Sequence, residues 1–270
     1  LKYFNKNEVQ FSTDSCDVIM GNNYIRGNLD EYEIKLDPKD FEGFGVELFL
    51  KSSLKPYRPK DGIIKAGDDF FAWLAAVPNG STKGKIIIDG TKKNVNGDGY
   101  HDHNWGNTPL QKLFDGWSWF RGKVGGYTII AAELNLSDKR GGYNVPILYI
   151  ANQDSIMTNR YGDDGIYTQY TNLINNLYPK KNEPLFSSIK LLTEDGILVS
   201  IEGKKLIDNS EIFKRMNLPS PIRWVMNKKG IDPYYSRFKS NVELSKNGNF
   251  LGNGFGILEI MDLKWFQDII

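Results

Sequence analysis

Both histidines of the 270-residue chain, His101 and His103, fall in one short run, Tyr100-His101-Asp102-His103-Asn104-Trp105-Gly106, with a carboxylate between them. A carboxyl group in apolar surroundings can keep its proton to neutral pH and donate it, with an imidazole tuning or relaying the charge. Asp102 is then the acid, and His101 or His103 assists. Aromatic faces from Trp105, Trp117, Trp119 or Phe120 would stabilise an electron-poor intermediate by cation–π attraction. That combination serves hydration, dehydration or cyclisation of an alkene without a cofactor. In a metal reading His101 and His103 share an ion, but a third ligand must come from a distant Asp or Glu, so no metal is expected. A nucleophile fits worse, because Cys16 is remote and no G-x-S-x-G elbow occurs. Against these stands an architectural role, in which Asp102 and Asn104 bond turn amides and the histidines are satisfied inside a polar plug.

If the run is extended, His101, His103 and Trp105 face one side and Asp102 and Asn104 the other. Gly97-Asp98-Gly99 permits a sharp bend before it, and Gly106 allows a close backbone approach after it. Trp117 and Trp119 share a strand face. Glu133 lies on the face of Ile129 and Ala131, and turned inward it is a second proton-transfer candidate. Arg121 is a candidate partner for Glu133 or Glu259, and Tyr234, Tyr235 and Phe238 are candidates for an aromatic wall.

The elements that must hold these residues are strands. Tyr32, Ile34 and Leu36 alternate with polar residues, as do Val46, Leu48 and Leu50. The pattern returns from Lys85 to Asp89, Tyr127 to Leu136, Val145 to Ala151, Ile197 to Ile201, Asn241 to Ser245 and Phe255 to Met261. Asn79-Gly80, Asp89-Gly90, Asp195-Gly196, Asn247-Gly248 and Asn253-Gly254 predict tight hairpin turns. Helical spacing is confined to Tyr170, Leu173, Ile174 and Leu177, and to a short helix capped by Ser210 and ended by Pro219. An all-β barrel or sandwich of antiparallel strands follows. The stretch Asn94 to Gly106 divides it, giving domains over residues 1–110 and 111–270.

With 34 Lys plus Arg against 33 Asp plus Glu, the net charge of +1 provides no general field for nucleic acid. The lone Cys16 excludes an internal disulfide and is compatible with a reducing compartment. No apolar run reaches the roughly 18 residues of a membrane span, and the first residues lack signal-peptide character. A cytoplasmic protein with a hydrophobic small-molecule partner is the expectation.

The run Gly97 to Gly106, followed by Asn107-Thr108-Pro109-Leu110-Gln111 and Trp117-Ser118-Trp119-Phe120-Arg121, resembles the hydroxyneurosporene synthase (carotenoid 1,2-hydratase)/AttH-like superfamily. Trp73, Val77-Pro78, Tyr234 to Phe238 and Gly254 to Leu263 extend the similarity over most of the chain. The resemblance implies two packed lipocalin-like (calycin) barrels with a pocket near their junction. It also implies a lyase or isomerase acting on an apolar terpenoid- or polyketide-like molecule, with Asp102 at the position of the protonating aspartate. Tyr100, Trp105, Trp117, Trp119, Phe120, Glu133 and Tyr235 are the candidate substrate contacts. The alternative is a non-catalytic carrier of a hydrophobic ligand in a lipocalin cavity. The first half is short for this family, and its histidines follow the AttH-like form of the motif.

Overall fold

Strands of period two must find partners for their backbone groups, and this chain does so in two antiparallel sheets. The structure, a computed structural model, describes residues 2–60, 62–174, 185–212, 219–228 and 233–263. It divides into two compact units, Leu1–Arg58 with Trp73–Asn104, and Pro59–Ala72 with Trp105–Ile270. The fold is all-β, as the alternation predicts.

The first sheet runs in the order β1 (Val9–Phe11), β2 (Cys16–Met20), β3 (Asn23–Gly27), β4 (Glu31–Leu36), β5 (Phe44–Ser52), β7 (Asp69–Ile88) and β6 (Ile63–Ala66), with β8 (Thr91–Gly106) paired to β7. The alternation in β4 and β5 becomes a register in which Tyr32 opposes Leu50, Ile34 opposes Leu48 and Leu36 opposes Val46. Tyr32 and Leu50 are buried with Ala76 and Val77, and Cys16, Ile25 and Leu74 pack against them. Asp89-Gly90 turns β7 into β8 with φ of 47° and 79°, the positive pair a two-residue hairpin favours.

Two expected breaks in this unit are not breaks. Asn79-Gly80 lies within β7, where Gly80 opposes Ser52 and a side chain on it would overlap the Lys51 carbonyl oxygen. Gly97-Asp98-Gly99 does not interrupt the strand; β8 is continuous through it, and a Cβ on Gly99 would overlap Leu50 and Thr82. In both places glycine provides clearance between neighbouring groups rather than a reversal of direction.

The second sheet has the order β12 (Ile156–Tyr161), β11 (Asn144–Ala151), β10 (Tyr127–Leu136), β9 (Phe114–Val124), β17 (Asn249–Asp262), β16 (Tyr234–Lys246), β15 (Ile197–Glu211), β14 (Leu185–Thr193) and β13 (Ile166–Ile174). Because β13 returns against β11, the sheet curls into a nearly closed barrel. Phe120 opposes both Leu258 and Ala131, and Leu258 opposes Phe238. All four are at most 2% exposed, and each aromatic buried in this way contributes about 1.5–3 kcal/mol.

Asn247-Gly248 turns as expected, with φ of 51° and 77°. Asn253-Gly254 instead lies inside β17, and a Cβ on Gly254 would overlap the Lys123 carbonyl. The helical spacing of Tyr170, Leu173 and Ile174 is overridden by pairing, since they oppose Ile189, Phe186 and Leu185 across β13 and β14; Leu177 lies outside the described residues. Ser210 sits in β15 opposite Tyr235, and the helix expected after it falls on residues 213–218, outside the described residues. Among the described residues the α-helices are the single turn α1 (Leu110–Leu113) and α2 (Ser220–Lys228), the latter directly preceded by Pro219.

Candidate active site

Extended β8 puts Tyr100 and Asp102 on the same face, two residues apart. The Tyr100 hydroxyl donates to Asp102 Oδ2 at 3.0 Å, and the indole N–H of Trp73, on β7, donates to the same oxygen at 3.2 Å. Trp73 is itself buried and fixed edge-to-face against Tyr57, with centroids 6.1 Å apart and planes at 84°. Asp102 is half-buried. Its partners are thus two side chains rather than the turn amides of a polar plug. With Oδ2 receiving two hydrogen bonds, a proton carried by this carboxyl sits on Oδ1.

His101 turns to the other face of the strand and packs edge-to-face on buried Tyr32, with centroids 4.6 Å apart and planes at 69°. Burial holds its imidazole below the ordinary histidine value. The Asp102 charge pulls upward against this, and His103 adds to the lowering. His101 is therefore chiefly neutral at neutral pH. His103 and Asn104 are exposed. Trp105, 38% exposed, begins the second unit, where Gly106 meets the expected close approach: a Cβ there would stand 2.6 Å from the Phe70 carbonyl oxygen. Among the described residues no three His, Cys, Asp or Glu side chains converge as metal ligands.

The remaining candidates, all in the second unit, occupy two environments. Phe120 and Glu133 face the barrel interior, Glu133 directly opposite Ser118 and 1% exposed. The Thr168 hydroxyl donates to Glu133 Oε2, and the Asn135 and Asn144 amides approach Oε1 at 3.4 Å each. Tyr170, bonded to Ser118 Oγ at 3.0 Å, has its hydroxyl pushed far above the tyrosine range, by burial first and then by the Glu133 charge. Trp117, Trp119 and Tyr235 lie on alternate positions facing outward. Trp117 meets Phe114 edge-to-face at 6.3 Å, and the Arg121 guanidinium lies over Trp119 at 5.4 Å, away from inward Glu133. Tyr235 is half-buried beside Glu259; burial and then that carboxylate raise its hydroxyl. Tyr234 and Phe238 point into the barrel, so the expected three-residue aromatic wall is split between two faces.

Sequence reasoning singled out neither Trp73 nor Tyr57 as a support for Asp102. The available signal was the Asp89-Gly90 turn, which folds β7 beside β8 and so brings Trp73 towards the motif.

No protein-family profile matches the chain, and no curated protein does. Solved structures do. Kievitone hydratase from Nectria haematococca superposes with a TM-score of 0.61 at 14% identity, covering 93% of this chain and 72% of that one. A protein of Nitrosomonas europaea assigned as AttH gives 0.62 at 14% identity, over 95% and 72% of the two chains. CghA gives 0.61 at 11% identity, over 89% and 66%. At these identities the likeness is one of fold, and it agrees with the fold that the resemblance implied.

Proposed function

We propose that this chain is a cofactor-independent acid–base enzyme, a lyase or isomerase, that adds or removes water or closes a ring on an apolar terpenoid- or polyketide-like molecule. Asp102 moves the proton. The observation that supports this reading most is the pair of donors on Asp102 Oδ2. They fix the carboxyl plane, assign the transferable proton to Oδ1, and spread the charge left on the carboxylate once that proton has gone.

In the hydration direction, the Oδ1 proton goes to one alkene carbon, and the π pair becomes the new C–H bond. Water then adds to the carbocation, and its surplus proton returns to the carboxylate. Dehydration is the reverse; in ring closure a second π bond attacks the carbocation to form the new C–C bond, and the cation this leaves loses a proton to the carboxylate to give an alkene. His101, on the opposite face and chiefly neutral, packs on Tyr32 and supports the strand that carries Asp102 rather than touching the same substrate atom. A hydratase and CghA share the fold, which makes this chemistry a natural first choice to assay.

The test is incubation of purified protein with candidate alkenes in isotopically labelled water, followed by mass spectrometry. Label should enter the product, and Asp102→Asn should lose about 10²–10⁴ in rate, the range for a general acid. The amide oxygen of the variant still accepts from Trp73 and Tyr100, so the fold should persist. Full activity in that variant removes Asp102 from the mechanism; retention of an unchanged apolar ligand without turnover makes the chain a carrier.

A further inference from the structure

The connection from β15 to β16 leaves the barrel just past the Glu211–Tyr234 pair, where the Ile212 amide donates to the Pro233 carbonyl oxygen at 3.0 Å. It carries α2. On this nine-residue helix Ile222, Trp224 and Val225 are 50%, 59% and 45% exposed, although apolar helix residues ordinarily cover a core. Positive charge accompanies them. From Ile212 to Ile231 the sequence holds Lys214, Arg215, Arg223, Lys228 and Lys229 and no Asp or Glu, within a chain whose net charge is only +1. Lys228 Nζ stands over the Trp224 ring, 4.5 Å from its centroid.

We propose that α2 is a membrane-docking element that lies in the headgroup layer of an anionic phospholipid surface. Ile222 and Val225, which share a face, enter the acyl boundary, Trp224 lies at its edge, and Lys228 and the half-buried Arg223 reach the lipid phosphates. Nine residues are too few to span a bilayer, which takes roughly 20, but enough for an amphipathic helix to lie in its interface. Tryptophan prefers that depth because its ring is apolar and its N–H is polar. A lysine folded over the ring can lift its ammonium towards the phosphates while its stem stays on apolar surface. Nucleic acid would use the cations equally well but would gain nothing from exposed Ile222 and Val225, so a lipid surface is the better complement.

The test is flotation of the full chain with vesicles of phosphatidylcholine alone, or of phosphatidylcholine with phosphatidylglycerol. The protein should float only with the anionic vesicles, and less as salt rises. Removing two interfacial cations in Arg223→Gln/Lys228→Gln should weaken binding about 25-fold, at roughly fivefold per charge. Ile222→Ser/Val225→Ser should also release the protein, with its far-ultraviolet circular dichroism and melting temperature unchanged because both side chains are exposed. Should either double variant misfold, quenching of tryptophan emission by brominated lipid decides instead: it should occur in the unaltered protein and be largely lost in Trp224→Phe. Absence of flotation with anionic vesicles overturns the proposal. So does flotation indifferent to both double variants, or capture by a single-stranded oligonucleotide that survives Ile222→Ser/Val225→Ser in place of vesicle binding.

Discussion

The indole N–H of Trp73 meets Asp102 Oδ2 at 3.2 Å across a separation of 29 residues. Trp73→Phe keeps an aromatic ring against Tyr57 and deletes only the donor. A hydrogen bond to a charged group is worth about 1.5–3 kcal/mol, so turnover should fall roughly 10- to 100-fold if the bond orients the carboxyl for reaction. Steady-state kinetics beside a melting curve checks this. Because Trp73 positions rather than reacts, KM should change less than kcat.

Tyr100 donates to the same oxygen, so the two donors are expected to be coupled. Tyr100→Phe should act in the same direction as Trp73→Phe, and the double variant should depart from additivity by about 0.5–3 kcal/mol. A double-mutant cycle on kcat/KM measures the departure. Strict additivity would mean that the two bonds do not act through one carboxyl orientation.

His101 sets a pH dependence of stability. Its native value lies below the ordinary 6.5, with burial as the main cause, so the unfolded chain binds the proton more readily than the native one. The neutral ring's contribution is complete above 6.5 and is lost as pH falls from there through the lowered native value. Melting temperatures between about pH 5 and about pH 8 should therefore drop towards acid, and His101→Phe, which keeps the edge contact to Tyr32, should flatten that part of the curve.

Inside the second barrel, Glu133 accepts from Thr168 and lies against Asn135, Asn144 and Tyr170. Glu133→Ala strands those polar groups away from water at a cost of about 1–3 kcal/mol or more. Glu133→Gln keeps an acceptor and the side-chain volume and should cost less. Urea denaturation separates the two variants, and equal midpoints would mean that the network carries no stability.

Two glycines just before the motif make a pair of opposite sign. A Cβ on Gly97 meets nothing within 4 Å, whereas one on Gly99 overlaps Leu50 and Thr82. Gly97→Ala should be neutral or stabilise by up to about 1 kcal/mol, through the reduced freedom of the unfolded chain. Gly99→Ala should destabilise by about 1–3 kcal/mol as the neighbouring side chains are displaced. Thermal unfolding of both variants checks the prediction.

Whatever depends on alternation along one strand is legible in the residues alone. The apolar faces of β4, β5 and β10, and the place of Glu133 on the same face as Ile129 and Ala131, follow from side chains that change face at every residue. The Asp89-Gly90 and Asn247-Gly248 turns were legible for a related reason, because positive φ at two successive residues is a local demand.

Which strands lie side by side is set by the assembled sheets, and most of the candidate site depends on that. Asn79-Gly80 and Asn253-Gly254 have the composition of turns, but the carbonyls of Lys51 and Lys123 pass too close for any other residue, a fact about neighbours distant in sequence. Tyr170, Leu173 and Ile174 have helical spacing and are nonetheless a strand, because β14 supplies their backbone partners. In the same way the motif contains Asp102 but not its donor Trp73, nor the Tyr32 ring that desolvates His101. Face alternation is written residue by residue, whereas the identity of a hydrogen-bonding neighbour is a property of the assembled sheet.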